Sequence, residues 1–286
     1  MKIAHGFGMV ALVTAAVAAT AQIALAKGVQ IGPDALKTNA NTADAGIVHF
    51  GGHEWFVIAH DGKDGGGDAI QYTPDGTETP VDLYPEGTAT LLATHTSATG
   101  QFNASYTGNA DYESSDLKAN NEGILDGFSD VERTAVDSRT LEGGCGTYGG
   151  EGYDSNKIQG NSVTNAMLWP LSVAEAVAMD DDLRNAVAHD PYHDSWWLRT
   201  PGMNTENAAY VAGDYASASI FLPCAGCGYG TSLYIAGSFG YFWSSVPLSD
   251  YYYRSWYLYF YSGNRYTNYI YRYYGQSVRP VQGFTE

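Results

Sequence analysis

The sequence predicts an α+β, loop-rich fold of short antiparallel sheets with two helices, and three observations carry that expectation. Trp256, Leu258 and Phe260 alternate with Tyr257, Tyr259 and Tyr261, the period-two pattern of a half-buried strand. Ile47-Val48-His49-Phe50 and Trp55-Phe56-Val57-Ile58 flank Gly51-Gly52, which reads as a β-hairpin with a tight glycine turn. Ser172 stands three residues before Glu175, the capping-box spacing that opens a helix. No break in composition separates Ile47 from Phe284, so the expectation is one domain over 47–286.

The elements follow in order. Residues 1–26 have the form of a secretory signal peptide: Lys2 gives the positive start, Met9 to Ala19 the apolar stretch, and Ala24-Leu25-Ala26 the cleavage site. An uncleaved membrane anchor is the alternative, but Thr20 and Gln22 interrupt the run. No later segment is apolar and long enough to span a bilayer, so the expected place is secreted or on the cell surface, with no transmembrane span after signal cleavage. Residues 27–46 read as a polar tether and 60–87 as a Gly/Asp/Pro-rich excursion, and Thr90-Leu91-Leu92-Ala93 is the next strand. Asp116 to Phe128 is a weak helix, burdened by Gly123 and Gly127. Residues 131–160 are expected to be loop-dominated. The helix capped by Ser172 presents Val173, Ala176, Val177 and Leu183 on one side and ends before His189-Asp190-Pro191. From Trp196 onward strands and turns alternate, with a turn at Ser262-Gly263-Asn264 and a last strand at Ser277-Val278-Arg279-Pro280-Val281.

Charge and motifs exclude several classes. A formal net charge of −17 argues against a nucleic-acid partner, because phosphate contacts need clustered Lys and Arg. Yet 251–285 holds no acidic residue, while Arg254, Arg265, Arg272 and Arg279 fall there. Cys224 and Cys227 can close a small disulfide loop, which leaves Cys145 odd; a zinc site would need two more ligands. Gly144, Gly146 and Gly149 match a dinucleotide-binding spacing without the strand and helix that the motif requires. His189 and His193 are separated by Pro191, and Asp180, Asp181 and Asp182 splay around a helix instead of converging on a cation. Asp61, Asp64 and Asp68 are a better calcium candidate, but their spacing fits no known loop. There is no nucleophile elbow, phosphate loop or zinc-protease motif, so neither catalysis nor a cofactor is expected.

The segment 249–274 contains eleven tyrosines, and most of the rest is Ser, Asn, Thr, Gly, Asp and Arg. That is the composition of an antibody-like contact surface, where tyrosine gives large amphipathic area at low entropic cost. A core would not use so many phenols, because each buried hydroxyl needs a partner. The residues expected to meet a ligand are Asp250, Tyr251, Tyr252, Tyr253, Arg254, Tyr259 and Tyr261 before the turn. After it come Arg265, Tyr266, Asn268, Tyr269, Tyr271, Arg272, Tyr273 and Tyr274. Tyr257 is expected to pack within the sheet.

Several pieces in order resemble exported bacterial domains with a C-type-lectin-like fold, related in architecture to formylglycine-generating enzymes. They are the hairpin 50–58, Tyr112 to Leu117, Trp169 to Ala176, Trp196-Trp197-Leu198-Arg199-Thr200-Pro201-Gly202 and Ser277 to Val281, together spanning about 47–282. Trp243-Ser244-Ser245, Trp256 to Asn264 and Gly275 to Val281 further resemble the variable target of a diversity-generating retroelement. The resemblance implies a variable segment of about 249–277 on a framework that includes Trp197, Trp256, Leu258, Phe260 and Val278. An Asn codon mutated only at its two adenines never yields Lys, Glu, Gln, Met or Trp. The segment 249–275 lacks the first four, and its one tryptophan is the framework Trp256. The calcium signatures of sugar-binding animal lectins are absent, and no cysteine follows Cys227 where the formylglycine enzymes carry a catalytic pair. The expectation is a displayed binding protein whose partner is a protein or glycan on a cell, phage or host surface. An enzyme of the formylglycine-generating or carbohydrate-active type, or a structural pilus or surface subunit, is the alternative.

Overall fold

A computed structural model describes residues 47–59, 61–63, 68–74, 76–93, 98–104, 111–147, 157–179, 196–199, 219–222, 225–236, 238–248, 251–261 and 264–285. Residues 1–46, where a signal peptide and tether are expected, and Asp64, Asp180, Asp181, Asp182, Leu183, His189, His193, Cys224 and Asp250 lie outside them. The described chain is mostly strand, with few helices and many loops.

Two large sheets organise it. Their strands, in chain order, are Ile47–Phe50 (β1), His53–Ala59 (β2), Thr88–Ala93 (β3), Ala98–Gln101 (β4), Val136–Asp137 (β5), Leu168–Pro170 (β6), Cys227–Tyr229 (β7), Ser232–Tyr234 (β8), Phe239–Pro247 (β9), Arg254–Tyr261 (β10), Asn264–Tyr271 (β11), Gly275–Val278 (β12) and Pro280–Thr285 (β13). The six-stranded sheet runs β1-β2-β3-β13-β6, with β5 also on β13, and is antiparallel throughout. The seven-stranded sheet runs β8-β7-β12-β9-β10-β11, with β4 on β12. Its β9–β12 contact is parallel, a departure from the purely antiparallel expectation that arises because the chain crosses past both β10 and β9 on its way from β11 to β12.

The glycine turn at 51–52 forms as predicted. Both glycines have positive φ, the conformation of a two-residue hairpin turn, and Phe50 pairs with His53. Gly51 has a second reason to lack a side chain, since a Cβ there would lie 2.1 Å from the Phe128 ring. Phe128 in turn meets Phe50 edge-on at 5.3 Å.

Helix Asp116–Glu122 (α1) is capped by Ser115, and at Gly123 the chain tightens into a 3-10 segment, Gly123–Gly127. The weak helix expected over 116–128 therefore stops where glycine first raises its entropic cost. Asp130–Ala135 (α2) begins the stretch expected to be loop. Ser129 and Glu132 cap it reciprocally, but none of its residues is buried, so it shows no apolar stripe in the sequence. Short ladders at 139–141 with 163–166 and at 145–147 with 157–159 further break that stretch.

Val173–Met179 (α3) opens on the predicted capping box. The Glu175 backbone N–H donates to Ser172 Oγ at 3.1 Å, and the Ser172 N–H donates to Glu175 Oε2 at 2.6 Å. Unlike a surface cap, Glu175 is buried and also accepts from the Tyr84 hydroxyl and Trp169 Nε1. Burial pushes its carboxyl above the ordinary range, against these donors, which pull it down.

The six-stranded sheet is buried on both faces. Leu91, Leu168 and Phe284 join Phe50, Trp55, Leu125 and Phe128 in one cluster. Leu92, Trp169 and Val281 point the other way, into a larger core with α3 and the second sheet, where Phe242, Trp243, Trp256, Leu258 and Phe260 lie. The final segment links the sheets: β12 belongs to one, β13 to the other, and Arg279 between them donates from Nε to the Ala93 carbonyl at 2.6 Å. Burial lowers the Arg279 pKa to about 10.

Candidate binding surface

Pairing register decides which predicted contact residues share a side. In β10, Arg254, Trp256, Leu258 and Phe260 point one way and Ser255, Tyr257, Tyr259 and Tyr261 the other. Trp256 pairs with Tyr269 and Arg254 with Tyr271, whereas Tyr257 pairs with Asn268 and Tyr259 with Tyr266. The residues proposed as a single face therefore form two groups on opposite sides of one sheet.

The first group extends the side that carries Tyr257. Phe239, Tyr241, Tyr259 and Tyr261 pack there ring to ring, with Tyr241 meeting Tyr259 at 4.9 Å and stacking on Tyr257 at 5.6 Å. Tyr257 is 4% exposed, as expected of a packed sheet residue, and Tyr259 and Tyr261 are half-buried. Burial, followed by the neighbouring Tyr241, raises the Tyr259 phenol far above its usual pKa.

The second group gathers around Arg254. Its Cζ lies 4.9 Å from the centroid of the Tyr271 ring, 5.1 Å from Tyr269, 5.5 Å from Tyr253 and 5.6 Å from Tyr251. These are cation–π distances to four rings at once. Burial opposes the charge, but a hydrogen bond with Tyr271 and the phenol oxygens nearby outweigh it and raise the guanidinium pKa. The rings also pack on each other: Tyr251 on Tyr269, Tyr253 on Tyr271, Tyr271 on Tyr273 and Tyr273 on Tyr274, with interplanar angles of 19–25°. Tyr251 and Tyr252 are the most open, at 40% and 59%.

Tyr229 continues this row. Its ring lies 5.1 Å from Tyr274 at the end of the β7–β8 hairpin, and it was not among the residues expected from the sequence. The signal for it was present in Tyr229-Gly230, a tight turn with Gly230 at φ 58°. Leu233, Tyr234 and Ile235 beside it are exposed as well.

Arg272 does not join either group. It is 3% exposed, sits over the Phe102 ring at 5.1 Å, and donates from Nε to the Arg254 carbonyl and from Nη1 to Asn103 Oδ1. Burial lowers its pKa to about 10. The pleat turns it inward, so the expectation that it meets the ligand is corrected: its part is to lock the β10 entrance against the 102–103 loop. Arg265 and Tyr266 are placed on β11 opposite Phe260 and Tyr259, and Asn268 is half-buried. Cys227 is a free thiol with its pKa raised by burial, and Cys224, its possible disulfide partner, lies outside the described residues. Asp61 spends its carboxylate on the Gly87 N–H and on Lys63, and no group of three metal-ligating side chains occurs among the described residues.

Residues 183–281 match a family described as a domain of unknown function (DUF8237). The match contains β7 to β12, and hence both tyrosine groups. Neither the curated proteins nor the solved structures contain a match to the chain.

Proposed function

We propose that this chain is an exported binding protein that presents a diversified tyrosine and arginine surface on a C-type-lectin-like framework. The observation that carries the proposal is the contrast within the seven-stranded sheet. Trp256, Leu258 and Phe260 are buried, while Tyr251 and Tyr252 stand open beside an arginine ringed by phenols. Tyrosine and arginine are the residues favoured at interface hot spots, where each desolvated anchor contributes about 2 kcal/mol or more. The framework holds these side chains on paired strands, which limits the ordering cost of binding. Retroelement mutagenesis accounts for the residue types found in 249–275 and for the single tryptophan at a buried position.

The test is binding of the full chain to an array of glycans and cell-surface proteins, run beside the Tyr251→Ala, Tyr252→Ala double variant. Loss of a specific signal in a variant that unfolds like the parent supports the proposal. Retention of every signal contradicts the site. The reading as a surface or pilus-associated subunit draws on the exposed Tyr229, Leu233, Tyr234 and Ile235 hairpin, and concentration-dependent assembly in light scattering would favour it.

A further inference from the structure

We infer that Arg254 and the tyrosines around it form a carboxylate-recognition site whose ligand is an acidic polysaccharide of the uronate type. This rests on the binding-surface reading above and adds the chemistry of the ligand.

A guanidinium carries five N–H donors in a rigid fork. Four tyrosine rings surround that of Arg254, and Tyr271 takes a hydrogen bond. Its Nε has no acceptor among the described residues, and none of their carboxylates forms an ion pair with it. That Nε is itself buried, so an arriving carboxylate would meet the terminal Nη edge of the half-buried guanidinium, whose charge no described carboxylate neutralises, in a bidentate, charge-assisted pair. The distribution of charge agrees. In a chain of net charge −17, the stretch 251–285 has four arginines and no acidic residue, with Asp250 the carboxylate that borders it.

The rings argue for a carbohydrate over a protein. Their near-parallel packing, at centroid separations of 4.9–5.7 Å, sets the rings side by side in a row in which each brings a hydroxyl that a polyol can share. Among the described residues of 251–274 the exposed large side chains are Tyr251 and Tyr252, and the exposed aliphatics Leu233 and Ile235 belong to the β7–β8 hairpin, which joins the row at Tyr274 and not at Arg254. A protein hot spot centres on an apolar anchor in a dry pocket. A rim of phenols beside a cation suits a polyol with a carboxylate.

The experiment is calorimetric titration of the full chain with sodium polygalacturonate, its methyl-esterified form and poly-L-glutamate. The net charge of the chain repels polyanions at long range, so retention reports the local site. Binding should occur to polygalacturonate and disappear on esterification. Arg254→Gln should weaken it by about tenfold or more, and Arg254→Lys, which keeps the charge but loses the fork, should recover little. Tyr252→Ala, at an open position where folding is not at stake, should weaken it too. The inference is overturned by absence of binding, by equal binding of the esterified polymer, by an Arg254→Gln variant that folds and binds normally, or by preference for polyglutamate. Any of these leaves the binding-surface reading intact if the Tyr251, Tyr252 double variant still loses its array signal.

Discussion

The two ends of one side of β10 differ sharply. Trp256, Leu258 and Phe260 are at most 2% exposed and fill the core, whereas Arg254, two residues before Trp256, lies half-buried among tyrosines that reach solvent. The buried and the open parts share a strand and a pleat, with one residue, Ser255, between Arg254 and Trp256. Side chains at the open end can thus change while the pairing of β9, β10 and β11 stays as it is. Tyr269 marks the border, since its ring touches both Trp256, at 5.4 Å, and Arg254.

Breaking the buried end should have the largest effect. Trp256→Ala is expected to cost about 3–5 kcal/mol in denaturant unfolding, the usual range for emptying a fully buried tryptophan site. Gly240→Ala comes next. Gly240 faces Phe260 across the strands, and a Cβ there would stand 1.9 Å from the ring, so overpacking should cost about 1–3 kcal/mol. A Gly240→Ala protein as stable as the parent would mean that Phe260 is not seated on β9.

A smaller effect tests the framework far from the tyrosines. Glu132 accepts from the N–H groups of Gly51 and Ser129 and from the Ser129 hydroxyl, chiefly the last of which holds its pKa below the usual carboxylate value. A depressed pKa stabilises the fold at pH above the unfolded value and loses that stabilisation as pH falls through the folded one. Glu132→Gln should therefore cost at most about 1 kcal/mol at neutral pH, given its exposure, and the difference from the parent should vanish in acid. The smallest effect belongs to the open end: Tyr251→Ala with Tyr252→Ala should change unfolding by no more than about 0.5 kcal/mol.

Much of this was legible in the sequence, because short-range signals encode it. The Gly51-Gly52 turn, the Ser172–Glu175 box and the alternation in β10 each follow from spacing alone. What escaped depends on partners distant in the chain. Nothing local says that Arg272 turns toward Phe102 and Asn103, or that Tyr229 packs against Tyr274. The division of the tyrosines into two groups required the register of β10 with β11, which composition does not carry. Helix α2 escaped for another reason: it buries none of its residues and so leaves no periodic trace.

The most direct measurement is the sequence of this gene across sibling strains. The account predicts that substitutions concentrate at Tyr251, Tyr252, Tyr253, Arg254, Tyr259, Tyr261, Tyr269, Tyr271, Tyr273 and Tyr274, while Trp256, Leu258, Phe260 and Arg272 stay fixed. Siblings that keep the tyrosine stretch unchanged and vary at other loops, or that replace Trp256 as freely as Tyr252, would contradict it.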